Sequence, residues 1–294
     1  MKLILPFIFA LYPLCLVGLA HAWLLGAKQQ SPSQWAVLTA ACVSVVGLAF
    51  LAGPWAFTSY YLRYLSLVSF VLAIIYSYRR MKVNNAVAGD RSTLCQVLVL
   101  LLFTVLDILA IAAYYQPGDT INLQFPLTSG SYYVLQGGNS VVTNPFHALS
   151  EARLALDIVK LNRFGNRAGG IAPRTLKSYE IFGEKLRSPC GGTVLFVRDG
   201  LLDNAPGQSD VGHPEGNHIV LKCGDAEVFL AHLKHDSISV IAGEVVNAGQ
   251  LLGEIGNSGN TLEPHMHISA TQGRAEKGLV FNGRKLSVNN VITQ

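Results

Sequence analysis

Apolar residues dominate the first part of the chain almost without a break, whereas polar and apolar residues alternate over much of the rest. Four long apolar stretches lie before residue 116, at residues 3–25, 35–57, 60–78 and 94–114. Each stretch approaches or exceeds the roughly 20 residues that a helix needs to cross a bilayer. The pattern therefore predicts a membrane region of four transmembrane helices in residues 1–115.

Short runs of alternating or β-branched residues replace the long stretches after a Pro-Gly turn at residues 117 and 118. These runs are YYVLQ, RLALDIV, TVLFV, HIVLK, EVFLAHL, LLGEI and HMHIS. Each is bounded by Gly, Asn, Asp or Pro, a pattern typical of antiparallel strands. We therefore predict a linker at residues 116–130, followed at residues 131–294 by an all-β, antiparallel domain with a sandwich or barrel-like fold.

Composition and charge support this division. The chain has a mean hydropathy of +0.36 and 14% charged residues, which is too apolar for an ordinary soluble protein of this length. Residues 1–115 contain seven Lys or Arg and two Asp, and the remainder contains 15 Lys or Arg against 16 Asp or Glu. The β-rich part is close to neutral, so its charge gives no reason to expect nucleic-acid binding.

The basic residues of the membrane region predict its orientation, because short cytoplasmic loops collect Lys and Arg. With four helices, five basic residues fall on the inner side: Lys28, Arg79, Arg80, Lys82 and Arg91. Only Lys2 and Arg63 then fall on the outer side. The fourth helix consequently runs outward and carries the β-rich domain to the outer side of the membrane.

A cleaved signal peptide at residues 1–22 is the alternative, because Ala20, His21 and Ala22 resemble a small-x-small cleavage site. Cleavage would leave three helices and put the β-rich domain in the cytoplasm. The distribution of basic residues favours four helices.

Asp107 lies inside the fourth apolar stretch. A carboxylate within a membrane is costly and often functional, so Asp107 is a candidate for a ligand or sensor role. A hydrogen bond between packed helices is the other interpretation.

Two cysteines, Cys190 and Cys223, lie in the β-rich region, and the other three lie in or beside the apolar stretches. A pair in an exported domain could form a disulfide. Two buried, reduced side chains would fit equally well.

Seven histidines in the β-rich region point to a metal site: His147, His213, His218, His232, His235, His265 and His267. Because residues i and i+2 of a strand share a face, His265 and His267 are directed to one point. Asp157 interrupts the apolar run RLALDIV, and His232 shares a predicted strand face with Val228 and Leu230. Alone, each would be an ordinary hydrogen-bonded sheet residue, but hydrolytic zinc sites need three such ligands.

The order of five segments resembles the lysostaphin/LytM-type zinc metalloendopeptidases, peptidase family twenty-three, over about residues 131–282. The segments are NPFH…ALDIV, SPCGGTVLFVRDG, GNHIVLKC, FLAHL and VNAGQLLGEIGNSGNTLEPHMHIS. The resemblance implies one zinc ion per chain, with His147, Asp157 and His267 as ligands and His232 and His265 as catalytic side chains. The family's usual first motif is H-x3-D, whereas Asp157 follows His147 by ten positions here.

Either catalytic histidine could, as a neutral imidazole, accept a proton from water at the zinc ion, and the imidazolium could then protonate the leaving amine. The sequence leaves this division of roles open. No role follows for His213, His218 or His235. His218 either lines the groove or lies at the solvated surface, and the surface is the expected place. Gly256 and Gly259 are expected to adopt positive φ in the turn before the HMH strand.

The resemblance implies hydrolysis of peptide bonds in bacterial cell-wall peptidoglycan. The predicted topology adds a multi-pass location in the cytoplasmic (inner) membrane, with the β-rich domain on the cell-wall side. Peptidoglycan peptides are the expected substrate, and other cell-wall enzymes are candidate partners. A catalytically silent family member that binds or activates other hydrolases is the first alternative. A transporter or sensor, resting on Asp107 and the four helices, is the second.

Overall fold

Four long helices precede a β domain in the computed structural model, which describes residues 4–27, 31–80, 90–115, 118–146 and 153–294. The helices are α1 (Leu5–Gly26), α2 (Pro32–Ala52), α3 (Leu62–Arg80) and α4 (Asp90–Ala112). All four are long and apolar enough to cross a membrane. The predicted four-helix region is thus confirmed.

Helix α2 is the centre of this region and packs against the other three helices. It begins with a capping box, in which the Ser31 hydroxyl accepts from the Gln34 N–H and the Gln34 side chain accepts from the Ser31 N–H. Pro32 suits the first turn, because an N–H group at this position has no acceptor within the helix and proline therefore loses no hydrogen bond. Local sequence therefore sets where α2 starts, and burial of its small side chains stabilises its position.

Asp107 of α4 faces α2. With Thr39, Ser44 and Thr104 it lines a cavity of about 580 Å³ between the two helices. A Cβ at Gly47 would lie 3.2 Å from Asp107 Oδ2. The missing side chain at Gly47 therefore leaves room for the carboxylate between α2 and α4.

In the described part of the chain, fourteen strands follow the helices. They are β1 (Thr120–Leu123), β2 (Ser131–Gln136), β3 (Leu156–Leu161), β4 (Lys185–Arg187), β5 (Gly192–Arg198), β6 (Asn217–Cys223), β7 (Ala226–Leu233), β8 (Val245–Val246), β9 (Leu251–Glu254), β10 (Met266–Gln272), β11 (Ala275–Glu276), β12 (Gly278–Phe281), β13 (Arg284–Lys285) and β14 (Val291–Thr293).

The main sheet is antiparallel throughout and has the order β14-β2-β3-β10-β7-β6-β5-β8, with β11 added beside β10. Within the described residues this sheet stays open instead of closing into a barrel. Strands β4 and β9 form a separate pair, and β1, β12 and β13 form a third sheet. The predicted all-β, mostly antiparallel domain is confirmed.

Strand β1 falls inside the interval 116–130, which the sequence marks as a linker. It pairs in parallel with β12, from Thr120 opposite Gly278 to Leu123 opposite Phe281. Part of that interval therefore belongs to a sheet of the β domain, and the division at residues 115 and 130 stays a prediction.

One face of the main sheet supplies the core of the β domain. Leu156 and Ile158 of β3, Leu230 of β7 and Ile268 of β10 are all fully buried in one apolar cluster. The alternation in each strand directs their neighbours in sequence to the opposite face. That opposite face therefore receives Asp157 and His267.

Cys190 and Cys223 form a disulfide with a Cα–Cα distance of 5.8 Å. The structure thus decides between the two alternatives that the sequence leaves open. Cys223 ends β6, and Cys190 lies just before β5, so the bridge ties the two neighbouring strands together.

We expect replacement of both bridging cysteines by alanine to lower the free energy of unfolding of the β domain by about 3–4 kcal/mol, because the bridge closes a loop whose ends are 33 positions apart. Urea unfolding of the protein in detergent, followed by circular dichroism, measures the change. Cys15→Ala is the matched control, since Cys15 is a free, exposed cysteine. An unchanged urea midpoint for the double variant would contradict the expectation.

The β domain lies at the end of the helical region where α1 and α3 begin and where α2 and α4 end. Phe9 near the start of α1 contacts Phe146, with ring centroids 6.4 Å apart. Hydrogen bonds join the other helix ends to the domain: Asn289 Nδ2 to Leu51 O (2.8 Å), Tyr60 N to Gly165 O (2.9 Å) and Tyr114 OH to Val288 O (3.0 Å). The segment 53–61, which links α2 to α3, therefore packs directly on the domain.

Candidate metal centre

Strands β3, β10 and β7 bring the predicted site residues together. Asp157 of β3 lies directly opposite His267 of β10 in the register of the two strands. Side chains of directly opposed residues lie on the same face within contact distance. Asp157 Oδ1 is accordingly 3.0 Å from His267 Nδ1 and 3.5 Å from Nε2 of His265, the residue before β10.

His232 reaches the same place through a break in its strand. The pairing of β6 with β7 shifts between Asn217 and Ile219, and His232 has a φ of 60°. This left-handed conformation is uncommon for a residue other than glycine and costs free energy. The β-bulge carries the His232 ring away from the face of Leu230 and toward His265 and His267, with ring centroids 5.0 and 5.8 Å away.

The prediction that His232 shares a face with Val228 and Leu230 is therefore wrong. Those two residues are fully buried in the core, while His232 contacts the histidines of the opposite face. Regular alternation cannot anticipate a bulge, because the extra residue reverses the facing of every residue that follows it.

Backbone carbonyls orient two of the imidazoles. His232 Nδ1 lies 2.9 Å from Ser258 O, and His265 Nδ1 lies 2.9 Å from Glu263 O. A carbonyl oxygen only accepts, so both Nδ1 atoms carry the proton and donate it. Each Nε2 atom is then left with a lone pair that can bind a metal ion or accept a proton.

Burial sets the protonation state of His232. The residue is 8% exposed, and its burial away from water holds the pKa of His232 well below the usual range. The nearby His265 and His267 shift the pKa in the same direction. Neutral imidazole is the form that binds metal ions and accepts protons. The environment therefore favours the chemically useful form of this side chain.

The turn that leads to β10 depends on two glycines for different reasons. Gly259 has a φ of 89°, as expected. Gly256 does not have positive φ, so that expectation is wrong; a Cβ there would lie 2.3 Å from Lys234 Cα. Close approach of two backbones, with the Gly256 N–H donating to His232 O at 3.1 Å, is what requires glycine at this position.

The donor atoms present fit a zinc ion. One ligand atom each from His232, His265 and His267 lies within 4.8 Å of the others, and the Asp157 carboxylate borders the same space. Imidazole nitrogen and carboxylate oxygen are the ligands that hydrolytic zinc sites use. Since Asp157 and His267 are both at most 6% exposed, the site is also shielded from water.

His147, the remaining predicted ligand, lies outside the described residues. Two donor sets that share His267 follow. The geometry brings together His232, His265 and His267, and the sequence predicts Asp157 and His267 with His147 as the third ligand.

The other histidines that the structure describes do not join the cluster. His213 is part of an exposed pair, with its Nδ1 2.8 Å from Asp210 Oδ2. His235 Nε2 lies 3.3 Å from the carboxylate of Asp236, the neighbouring residue.

His218 is buried, so its expected place at the surface is wrong. Its ring stacks on Phe196 at a centroid distance of 5.3 Å and contacts Phe229, which in turn contacts His267. Alternation within HIVLK could have predicted this position. Ile219 and Leu221 face the core, so His218 faces the opposite side of the sheet, where the metal centre lies.

Comparison with known proteins identifies the class of this domain. Residues 179–279 match the model of peptidase family M23. The chain thus contains a peptidase domain of family M23, which includes His232, His265 and His267. The matched interval begins after Asp157 and His147, so it does not bear on the first predicted motif. None of the curated proteins compared matches the chain.

Several solved structures resemble the chain at low identity. Lysostaphin shares 18% identity over 40% of this chain and 36% of its own, with a TM-score of 0.26. A zinc-containing peptidase from Vibrio cholerae shares 18% over 42% and 48%, with a TM-score of 0.27. A Pseudomonas aeruginosa protein assigned to peptidase M23 shares 19% over 60% and 58%, with a TM-score of 0.31. The chain spans less than two thirds of the length of each of these proteins.

Proposed function

We propose that this protein is a membrane-anchored zinc metalloendopeptidase that hydrolyses peptide bonds in bacterial cell-wall peptidoglycan. The observation that carries the proposal is the convergence of Asp157 with His232, His265 and His267. The three histidines lie in the interval that matches family M23. The donor types, the burial and the unprotonated Nε2 atoms of His232 and His265 together support hydrolysis over a purely structural role.

We assign Asp157 and His267, with His147, to one zinc ion. Asp157 Oδ1 and His267 Nδ1 are 3.0 Å apart, close enough for both to contact one cation. When bound, zinc polarises the scissile carbonyl and lowers the pKa of a water ligand to about 7.

His232 and His265 are the proposed catalytic residues. Each donates its Nδ1 proton to a fixed carbonyl, Ser258 O or Glu263 O, which holds the ring in one orientation. Each Nε2 can therefore accept a proton from water or deliver one to the leaving amine. These contacts support the assignment of the two histidines as general acid–base groups beside the proposed ligands.

We further propose that the helices lie in the bacterial cytoplasmic membrane with the β domain on the outer, cell-wall side. Arg79 and Arg80 end α3, and α3 begins at the β domain, so these charges lie at the opposite end of the helix. A basic cytoplasmic end then leaves the domain outside. The Cys190–Cys223 disulfide supports an oxidising, extracytoplasmic location.

The full chain, purified in detergent, tests the proposed function. We expect one zinc ion per chain and release of peptide-cleaved fragments from purified peptidoglycan, which mass spectrometry identifies. His213→Ala is the matched control, because His213 is exposed and lies outside the cluster. A chain with neither stoichiometric zinc nor released fragments would instead be a catalytically silent member that acts through other cell-wall hydrolases.

A further inference from the structure

Arg167 joins the membrane region to the β domain. The backbone N–H of Arg167 donates to Ala56 O at 3.0 Å, and the guanidinium carbon lies 3.5 Å from the centroid of the Phe57 ring. Ala56 and Phe57 belong to the segment 53–61 between α2 and α3. Arg167 is 1% exposed, so this cation–π contact is shielded from water, where such contacts are strongest.

The guanidinium of Arg167 also holds Glu263. Arg167 Nε donates to Glu263 Oε1 and Nη2 donates to Oε2, both at 2.6 Å. Such a two-point pair fixes orientation as well as distance. The Nη2 atom additionally donates to Ile171 O at 2.9 Å, which leaves the arginine little freedom to move.

Glu263 in turn orients His265. The Glu263 carbonyl oxygen accepts from His265 Nδ1 at 2.9 Å and from Thr261 Oγ1 at 2.8 Å. Only Pro264 separates the two residues, and its ring restricts the backbone between them. A change in the position of Glu263 would therefore shift the carbonyl that sets the tautomer and direction of the His265 ring.

We propose that Phe57, in the connection between α2 and α3, positions the catalytic histidine through Arg167 and Glu263, so that all three are positioning residues. The proposal rests on the proposed function, because it assigns His265 a catalytic role. The contacts form an unbroken series from Phe57 through Arg167 and Glu263 to His265. The membrane region would then contribute to the active site in addition to anchoring the β domain.

Substitution of Phe57 in the full chain tests this coupling. Phe57→Leu retains an apolar side chain but removes the aromatic face over Arg167. We expect kcat on a soluble cross-linked peptide from peptidoglycan to fall about tenfold or more, as small displacements of catalytic groups do. KM and zinc content should stay unchanged, since the ring contacts of Phe57 among the described residues are with Phe9 and Arg167, and not with Asp157 or His267.

Ser59→Ala is the matched control. It removes a different contact between the same two parts of the chain, the hydrogen bond from Ser59 Oγ to Phe164 O at 2.6 Å, which does not lead to His265. We expect wild-type kcat for this variant. Equal kcat values for Phe57→Leu and Ser59→Ala, in proteins that keep zinc and unfold at the same temperature, would overturn the proposal.

A double-mutant cycle separates positioning from general stabilisation. Glu263→Gln weakens the pair with Arg167, and its kcat should fall at least as far as that of Phe57→Leu. If the effect of Phe57 passes through Glu263, the double variant will have the kcat of Glu263→Gln alone. Multiplicative losses would overturn the coupling. Absence of zinc and activity from the wild-type chain would instead refute the proposed function.

Discussion

His265→Ala is expected to abolish most of the peptidase activity while the protein keeps its zinc ion. Loss of a general acid–base group lowers rates by about 10²- to 10⁴-fold. In the proposed assignment His265 contacts Asp157 at 3.5 Å but is not itself a ligand. Zinc content by elemental analysis and fragment release from peptidoglycan measure the two effects independently.

Asp157→Asn is the companion variant, and it should lose both zinc and activity. The amide has nearly the shape of the carboxylate but lacks its charge, and it would lie directly opposite His267 as Asp157 does. Zinc loss from Asp157→Asn with zinc retention in His265→Ala would support Asp157 and His267 as ligands. The reverse pattern would show that the clustered His232, His265 and His267 bind the metal ion.

A third variant, His147→Ala, tests the remaining proposed ligand. If Asp157 and His267 are ligands, a third protein ligand is needed, as hydrolytic zinc sites typically have three. Zinc loss in His147→Ala, with activity lost in parallel, is the expected result. Retention of full zinc there would leave the clustered histidines as the metal site.

Alternation within single strands was sufficient to predict part of the candidate site. The sequence places Leu156 and Ile158 on one face of β3 and Asp157 on the other, and the structure places them so. His265 and His267 follow from the same period of two. These predictions succeed because they depend only on neighbours in the same strand.

Contacts between distant segments account for what the sequence did not predict. Arg167 and Glu263 are 96 positions apart, and each resembles an ordinary surface charge when read along the chain. Gly256 is required by the approach of Lys234, which no local pattern reveals. Such features depend on tertiary packing, and they include the series of contacts that joins the membrane region to His265.

His232 variants are expected to separate the metal centre's chemistry from its backbone strain. Activity should fall by about 10²- to 10⁴-fold in His232→Ala, His232→Asn and His232→Gly, because each lacks the imidazole. Stability should differ among the three. Glycine and asparagine tolerate the left-handed conformation that His232 adopts at a φ of 60°, whereas alanine does not.

The expected difference is roughly 1 kcal/mol in favour of His232→Gly and His232→Asn over His232→Ala, since left-handed backbone costs other residues about that much. All three lose the hydrogen bond from Nδ1 to Ser258 O, so that loss cancels in the comparison. Thermal unfolding of the full chain in detergent measures the order. Equal stability of the alanine and glycine variants would mean that β7 relaxes without the histidine. The bulge would then be held by the ring's contacts with its neighbours, and not by the backbone hydrogen bonds of His232 to Glu215 and Gly256.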